Sequence, residues 1–357
     1  MAPISTNEAV FVETAARLHF GLLDLRGDLG RKFGGIGAAA PGPTLLVSAS
    51  PAETLDVTGD DAERAAGFAR QFLAHQPDGP NVGMRVHVHR ALPPHAGLGS
   101  GTQLALAVAR ALAEVRGLPA NAADLARAVG RAQRSAIGTW TFAGGGLVVE
   151  GGRPFDPAQD RPEPVTLRPT QGDPEFAERI EGRREARDAV APLLARLPFP
   201  PSWRCVVAVP DAAPAISGAA EAAALAQLPP PPERDVAHVA RLVLMVLLPA
   251  LADGDLTAFG RALTEIQLTT GRWFAEVQGG VYAPGASEEL VHRLTEWGAA
   301  GVGQSSWGPA VYGIVDGDDA GRRLAERARG ALDRLGTTGC IHCGPFRNDG
   351  ARVWRAN

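Results

Sequence analysis

Residues Asn81 to Val115 place a strand pattern, a loop of small residues and a helix pattern in immediate succession, an order that few folds accommodate. From Val82 the chain alternates, with Val82, Met84, Val86 and Val88 on one side and Arg85, His87 and His89 on the other, the period of a half-buried strand. The loop Gly97-Leu98-Gly99-Ser100-Gly101-Thr102 follows, and then Leu104, Val108, Ala111, Leu112 and Val115 share one face of a helix. Small residues let backbone approach an anion closely. Ser100 is placed to cap the helix, whose first-turn N–H groups point outward with the positive end of the dipole. Gly97, Gly99, Ser100, Gly101 and Thr102 are therefore candidate phosphate-binding residues. A plain strand-to-helix turn uses the same residue types, and 43 glycines in 357 residues weaken any single one. The position of the cluster between strand and helix is what favours phosphate.

A chain of 357 residues with 45% hydrophobic positions exceeds the usual size of one compact domain, so two domains are expected. A net charge of -4 gives no long-range attraction for nucleic acid. The opening MAPISTNEAV lacks a secretory pattern, and the apolar run Leu242 to Leu251 is about half a bilayer span, so the expectation is a soluble, cytoplasmic protein without a membrane partner. Three cysteines make no disulfide framework, and Cys340 and Cys343, in an apparent strand, read as structural. His87 and His89 lack a third ligand and read as solvent-facing.

Elsewhere, Val10 to Leu25 and Thr44 to Ser48 read as strands around a glycine-rich turn, and Ala62 to His75 and Ala122 to Ser135 as helices. A short strand follows the glycines after Phe142, and Pro154 to Pro174 reads as a domain junction. Helices are expected over Pro174 to Leu197, Asp235 to Ala252, Asp255 to Glu276, Glu288 to Gly298 and Asp319 to Leu335. Strands are expected at Arg204 to Val209 and Ala310 to Val315, with a closing pair around Cys340 and Val353.

Pro94-His-Ala-Gly-Leu-Gly-Ser-Gly101 resembles the P-x-x-x-G-L-G-S-S loop of GHMP kinases, and Gly301-Val-Gly-Gln-Ser-Ser-Trp-Gly-Pro-Ala310 resembles that superfamily's C-terminal glycine-rich motif. The resemblance implies an α/β (α+β) fold of two domains: an N-terminal ribosomal-protein-S5-domain-2-like domain over 1–165, and a C-terminal ferredoxin-like α/β sandwich over 166–357. The active cleft would lie between them. Where mevalonate-type kinases carry an Asp, Gly138 and Thr139 stand here, and no acidic residue lies between Gly130 and Leu147. Neither residue replaces a carboxylate in phosphoryl transfer.

Arg17-Leu-His-Phe-Gly-Leu-Leu-Asp-Leu25, with Gly30-Arg-Lys-Phe-Gly-Gly-Ile-Gly37, is similar to the β-ribofuranosylaminobenzene 5′-phosphate synthases, GHMP relatives that are not kinases. Gly344-Pro-Phe-Arg-Asn-Asp-Gly-Ala351 resembles their closing R-N-x-G-A segment. That resemblance implies a decarboxylating transfer from phosphoribosyl pyrophosphate to an aromatic carboxylic acid, 4-aminobenzoate or 4-hydroxybenzoate, early in methanopterin biosynthesis. It also implies Mg²⁺ as cofactor and a homodimer. His19, Asp24 and Lys32 become candidate catalytic residues, with Asp24 either placing Mg²⁺ or starting a turn, and His19 either donating to substrate or satisfied by backbone. Arg17 and Arg31 would bind phosphate or carboxylate. Gly34 and Gly35 form a second anion nest or a plain loop. Gln304, Ser305 and Ser306 offer polar groups, and Trp307 stacks on the acceptor or packs between domains. Arg347 and Asn348 complete the site or cap a terminal strand. A C-nucleoside synthase using a nitrogen-heterocyclic carboxylate, a small-molecule kinase and a non-catalytic phosphometabolite-binding protein are the rival readings.

Overall fold

The computed structural model describes residues 9–77, 79, 82–155, 189–211 and 218–356. Its first sheet contains β1 (Val10–Asp24), β2 (Arg31–Pro51), β3 (Asp56–Gly59), β4 (Met84–Arg90), β5 (Leu147–Glu150), β6 (Arg153–Pro154), β7 (Leu193–Leu197) and β12 (Arg352–Arg355). The long β2 is its organiser, pairing with β1 along most of its length, with β5 over Gly35–Ala38 and with β4 over Leu46–Pro51. Helices α1 (Ala62–Ala74) and α2 (Ser100–Val115) pack together, and α2 lies on β1 and β2. The alternation expected for β4 holds: Met84, Val86 and Val88 are buried. His87 and His89 bond Thr58 and Ser48 on the other side, both at 2.8 Å.

The second sheet contains β8 (Trp203–Pro210), β9 (Gly301–Gln304), β10 (Val311–Asp316) and β11 (Gly339–Pro345), all pairs antiparallel, in the order β11-β8-β10-β9. Counted along the chain, that order is fourth, first, third, second, the arrangement of a split βαβ unit, so the ferredoxin-like expectation is met. Helices α5 (Gly218–Gln227), α6 (Glu233–Leu242), α7 (Leu248–Asp253), α8 (Leu256–Gln278), α9 (Ala286–Glu296) and α10 (Asp318–Arg334) complete this half. A π turn over Val243–Leu247 joins α6 to α7. Helix α8 packs on both β9 and β1, which makes it the inner wall between the sheets.

Three expectations are corrected. The helix expected to reach Ser135 is α3 (Ala122–Ala128), which stops where Gly130 and Ala132 take left-handed backbone, and a separate α4 (Ile137–Gly144) follows. Leu193 to Leu197, expected at the end of a helix, is strand β7 on β5, bracketed by Pro192 and Pro198, which disfavour helix beside them. The closing strands do not pair: β11 joins the second sheet while β12 returns to β1. The helical run Glu233–Asp253 is, by length and composition alone, apolar enough to cross a membrane, although Val239, Leu242, Val243 and Leu247 are buried in the core. The expected junction at 165/166 and the first part of the Pro174–Leu197 helix lie outside the described residues.

Glu150 is fully buried in β5, accepting from Gly152 N at 2.7 Å and Ala136 N at 3.5 Å. Burial outweighs these bonds and raises its pKa from 4.5 to about 7. The unfolded chain therefore sheds this proton first, and the group's cost to stability grows as pH rises from 4.5 to 7, reaching about 3 kcal/mol. Glu150→Gln should gain about that much relative to the parent between pH 4.5 and 8 in urea unfolding. A difference that does not move with pH would refute this account.

Candidate active site

Two chambers meet between the sheets. One is lined by His95 to Thr102, Arg64 and Gly130 to Arg134, and encloses about 1310 Å³ including its open mouth. The other is lined by Leu22, Phe33, Leu225, Phe274 and Val281, with Gln267, Thr270, Gln278 and Gln304 among them, and encloses about 790 Å³ on the same measure. Arg17, Arg134, Ser135, Glu221, Ser306 and Trp307 line both and form the junction. One chamber is basic and rich in backbone N–H groups, the other largely apolar.

The loop's shape follows from its glycines. Gly97 has φ +74°, and a Cβ there would stand 2.1 Å from the Ser305 carbonyl oxygen. Gly99 has φ +72°, and its Cβ would meet the Arg17 side chain at 2.7 Å. Gly99, not Ser100, is the N-cap of α2; no side chain caps the helix, and while Thr102 N turns back to Gly99 O at 3.0 Å, the N–H groups of Ser100 and Gly101 are left for another acceptor.

Three segments separated in sequence converge here. Ser305 Oγ donates to Gly97 O at 2.6 Å and accepts from His19 N at 2.9 Å. Arg17 donates to the same Gly97 carbonyl at 2.7 Å, and Ala310 N reaches Ala96 O at 3.2 Å. Burial lowers the Arg17 pKa to about 10, against the attraction of Glu221, so the side chain remains cationic at neutral pH. His19, 8% exposed, is driven by burial and then by Arg17 to about 3, which keeps its ring neutral. Its Nε2 lies 3.4 Å from Ser135 Oγ. Gln304 bonds Gln278 at 2.9 Å and Ser306 O at 3.0 Å. Trp307 donates to Glu221 at 3.1 Å and packs edge-on against Phe274. The other oxygen of Glu221 pairs with Arg134 at 3.1 Å.

Several expected residues are not brought to either chamber. Asp24 accepts from the N–H groups of Arg26 at 2.5 Å and Gly27 at 3.0 Å, fixing the β1–β2 turn. Arg31 is spent on the carbonyls of Gly151 and Gly152, both at 2.7 Å, and Lys32 lies over the Phe155 ring at 4.8 Å. Gly34 and Gly35 sit within β2, where a Cβ on Gly35 would press Glu150 and Ile137 at 2.9 Å; their place is in the sheet, not an anion nest. Asn348 clamps the Phe199 backbone at 2.8 and 2.9 Å, and Arg347 bonds Ala39 and Gly146 through its backbone. Conversely, Arg64, Arg131, Glu221, Phe274 and Gln278 line the cleft without a motif to announce them, and Phe33, Arg134 and Ser135 line it from quoted segments without having been singled out.

The donor set does not fit a protein-held Mg²⁺. Glu221 is the one carboxylate lining either chamber among the described residues, and it is already tied to Arg134 and Trp307. Nor do the described residues contain a group of three or more carboxylate, histidine or cysteine side chains suited to a metal. At the position where a kinase would carry its Asp, a Cβ on Gly138 would stand 2.9 Å from Thr102, and Thr139 is fully buried.

The profile described as "GHMP kinases N terminal domain" matches residues 63–145, and "GHMP kinases C terminal" matches 247–333. Homoserine kinase from Cytophaga hutchinsonii superposes with a TM-score of 0.65 at 13% identity, covering 99% of this chain and 100% of that one, a likeness of fold alone. The beta-ribofuranosylphenol 5'-phosphate synthase of Archaeoglobus fulgidus is 34% identical over 87% of this chain and 89% of its own length. Its namesake from Methanothermobacter thermautotrophicus is 31% identical over 86% and 89%. On a GHMP kinase fold, and with this degree of identity across nearly nine-tenths of its length, the chain belongs to the beta-ribofuranosylphenol 5'-phosphate synthases, a family of pentosyl-transferring enzymes.

Proposed function

We propose that this chain joins the ribose 5-phosphate unit of phosphoribosyl pyrophosphate to the ring carbon of 4-hydroxybenzoate or 4-aminobenzoate, releasing diphosphate and CO₂, as a step toward methanopterin. The observation that carries the proposal is the meeting of a basic chamber and an apolar chamber at one junction. A polyanionic donor and a flat aromatic acceptor need those two environments side by side. The relatives' name, a ribofuranosylphenol 5'-phosphate synthase, favours the hydroxyl acceptor. A homodimer is part of the same proposal and rests on the family resemblance alone, and a cytoplasmic location is proposed from the cysteine usage.

In this reading the anomeric C–O bond breaks and diphosphate leaves with the electron pair. The ring carbon bearing the carboxylate then forms the new C–C bond, and loss of CO₂ returns the electrons of the C–C(carboxyl) bond to the ring. No oxidant or reductant is required. The chain's contribution is orientation and charge: Arg17 and the α2 N-terminus face the donor, while Trp307, Phe274 and Phe33 hold the ring. A neutral His19 supports this chemistry, because a cationic imidazole beside the acceptor would draw electron density from the ring that must attack.

The test is to incubate the protein with Mg²⁺, phosphoribosyl pyrophosphate and a panel of aromatic and heterocyclic carboxylic acids, following diphosphate and CO₂ beside an ATP control. Joint release with a benzoate is expected. Release only with a nitrogen-heterocyclic acid would move the chain to the C-nucleoside synthases, and ATP consumption without either product would return it to the kinases.

A further inference from the structure

We propose that Arg64 and Arg131 form a clamp that holds the diphosphate leaving group against the first turn of α2 without a metal bound to the protein. The inference rests on the reaction proposed above for the identity of the anion, and on the basic chamber for its place. A Cβ on Gly101 would stand 3.2 Å from a terminal nitrogen of Arg64 and 3.5 Å from one of Arg131. Two guanidinium groups, from α1 and from the loop after α3, thus converge on one point beside the positive end of a helix.

Among the described residues no carboxylate lies between the two groups to reward that convergence. Like charges repel, and the helix dipole adds to the repulsion, so an empty chamber is the unfavourable state and an anion between the groups the favourable one. Both arginines are also prevented from swinging away. Arg64 is tethered at its other nitrogen to Asp61 at 3.2 Å, and Arg131 is stacked on the Phe68 ring at 4.6 Å. The Arg131 Nε is buried and has no hydrogen-bond partner among the described residues. Burial, and then Arg64, hold the Arg131 guanidinium below its ordinary pKa, as expected of a cation without its counterion.

The two forks suit a diphosphate, whose adjacent phosphoryl groups offer paired oxygens to planar donors. Neutralising those oxygens as the anomeric C–O bond breaks is what a bound metal does in other phosphate enzymes. Because the cleft offers no free carboxylate among the described residues, a divalent cation would enter as part of the donor complex and leave with the diphosphate.

Isothermal titration of the purified protein with inorganic pyrophosphate in EDTA tests the clamp. Binding is expected without added metal, and Arg64→Gln and Arg131→Gln should each weaken it by about ten-fold or more. Titration with Mg²⁺ alone should give no binding. Arg64 lies partly exposed on α1, so its variant is expected to fold even where Arg131→Gln, which removes the stack on Phe68, does not. Pyrophosphate binding that appears only with Mg²⁺, or an Arg64→Gln protein that binds as the parent does, overturns the clamp. The transferase reading fails separately: pyrophosphate binding lost in the variants, with no product from any acceptor, keeps the clamp and removes the reaction. Turnover with unchanged pyrophosphate binding in both variants does the reverse.

Discussion

Replacing Arg17 by methionine should lower kcat/KM by about 10²- to 10³-fold, the cost of removing one preorganised donor from a site of developing charge. The melting temperature should move by no more than about 2 °C, less than 1 kcal/mol commonly shifts it in a domain of this size. The separation of the two effects follows from what surrounds the side chain. Arg17 lines both chambers, and its charge is desolvated enough to bring its pKa to about 10. In the proposed reaction a buried cation would act on the departing diphosphate with little screening. Its removal leaves no orphaned acceptor, because Gly97 O keeps the bond from Ser305 Oγ at 2.6 Å. Methionine also fills the space that the Arg17 stem occupies beneath Gly99. Relief of the desolvation cost offsets part of the lost bond. Steady-state kinetics and calorimetry on the same preparation check both halves, and a fall in stability that tracks the fall in activity would make Arg17 a structural residue only.

What the sequence revealed of this site was whatever is local in the chain. The loop at Gly97–Thr102 is legible because strand alternation, small residues and helix periodicity follow one another within 35 residues, and the ferredoxin-like half because its element order survives small boundary errors. Helix α4 was hidden by its own text, IGTWTFAG: Gly138 reads as a breaker, yet it is small because Thr102 leaves no room for a Cβ. Strand β12 was legible as a strand but not as a partner of β1, since nothing local records a pairing across the whole chain.

Within the β1–β2 hairpin, residues close in sequence part company in space. His19 and Arg17 reach the cleft, while Asp24, Arg31 and Lys32 lie at the hairpin end, where turn N–H groups, carbonyls and an aromatic ring absorb them. Motif resemblance marks a segment; which face of a strand meets the cleft is decided by the packing of α8 and the Ser305 turn against it. The opposite case is that of Arg64 and Arg131. In a chain where 35 positions carry Lys or Arg, a single arginine is no signal, and only the fold brings these two over Gly101.

Gly97→Ala should cost about 2–4 kcal/mol of stability and reduce kcat/KM by about 100-fold, because two separate penalties fall on the same atom. The first is conformational: φ is +74°, a left-handed backbone that an alanine adopts only under strain. The second is a collision, since the new methyl would stand 2.1 Å from the Ser305 carbonyl oxygen and 3.0 Å from that of Gly308. Both neighbours are backbone, so no side-chain rotation relieves the contact. The loop must withdraw from the Ser305–Gly308 turn, and withdrawal breaks the bonds that Gly97 O accepts from Arg17 and Ser305 together with Ala310 N to Ala96 O. These are the links that hold the Gly97–Thr102 loop and β1 to the second sheet, so the two chambers lose their common junction. Gly336→Ala separates the penalties: φ there is +64°, but nothing lies within 4 Å and the position is outside both chambers. It should pay only the conformational cost, about 1 kcal/mol, with kinetics unchanged. Urea unfolding and kcat/KM of the two variants side by side decide the matter. Equal destabilisation with equal activity would mean that the contact between Gly97 and Ser305 does not join the two halves of the site.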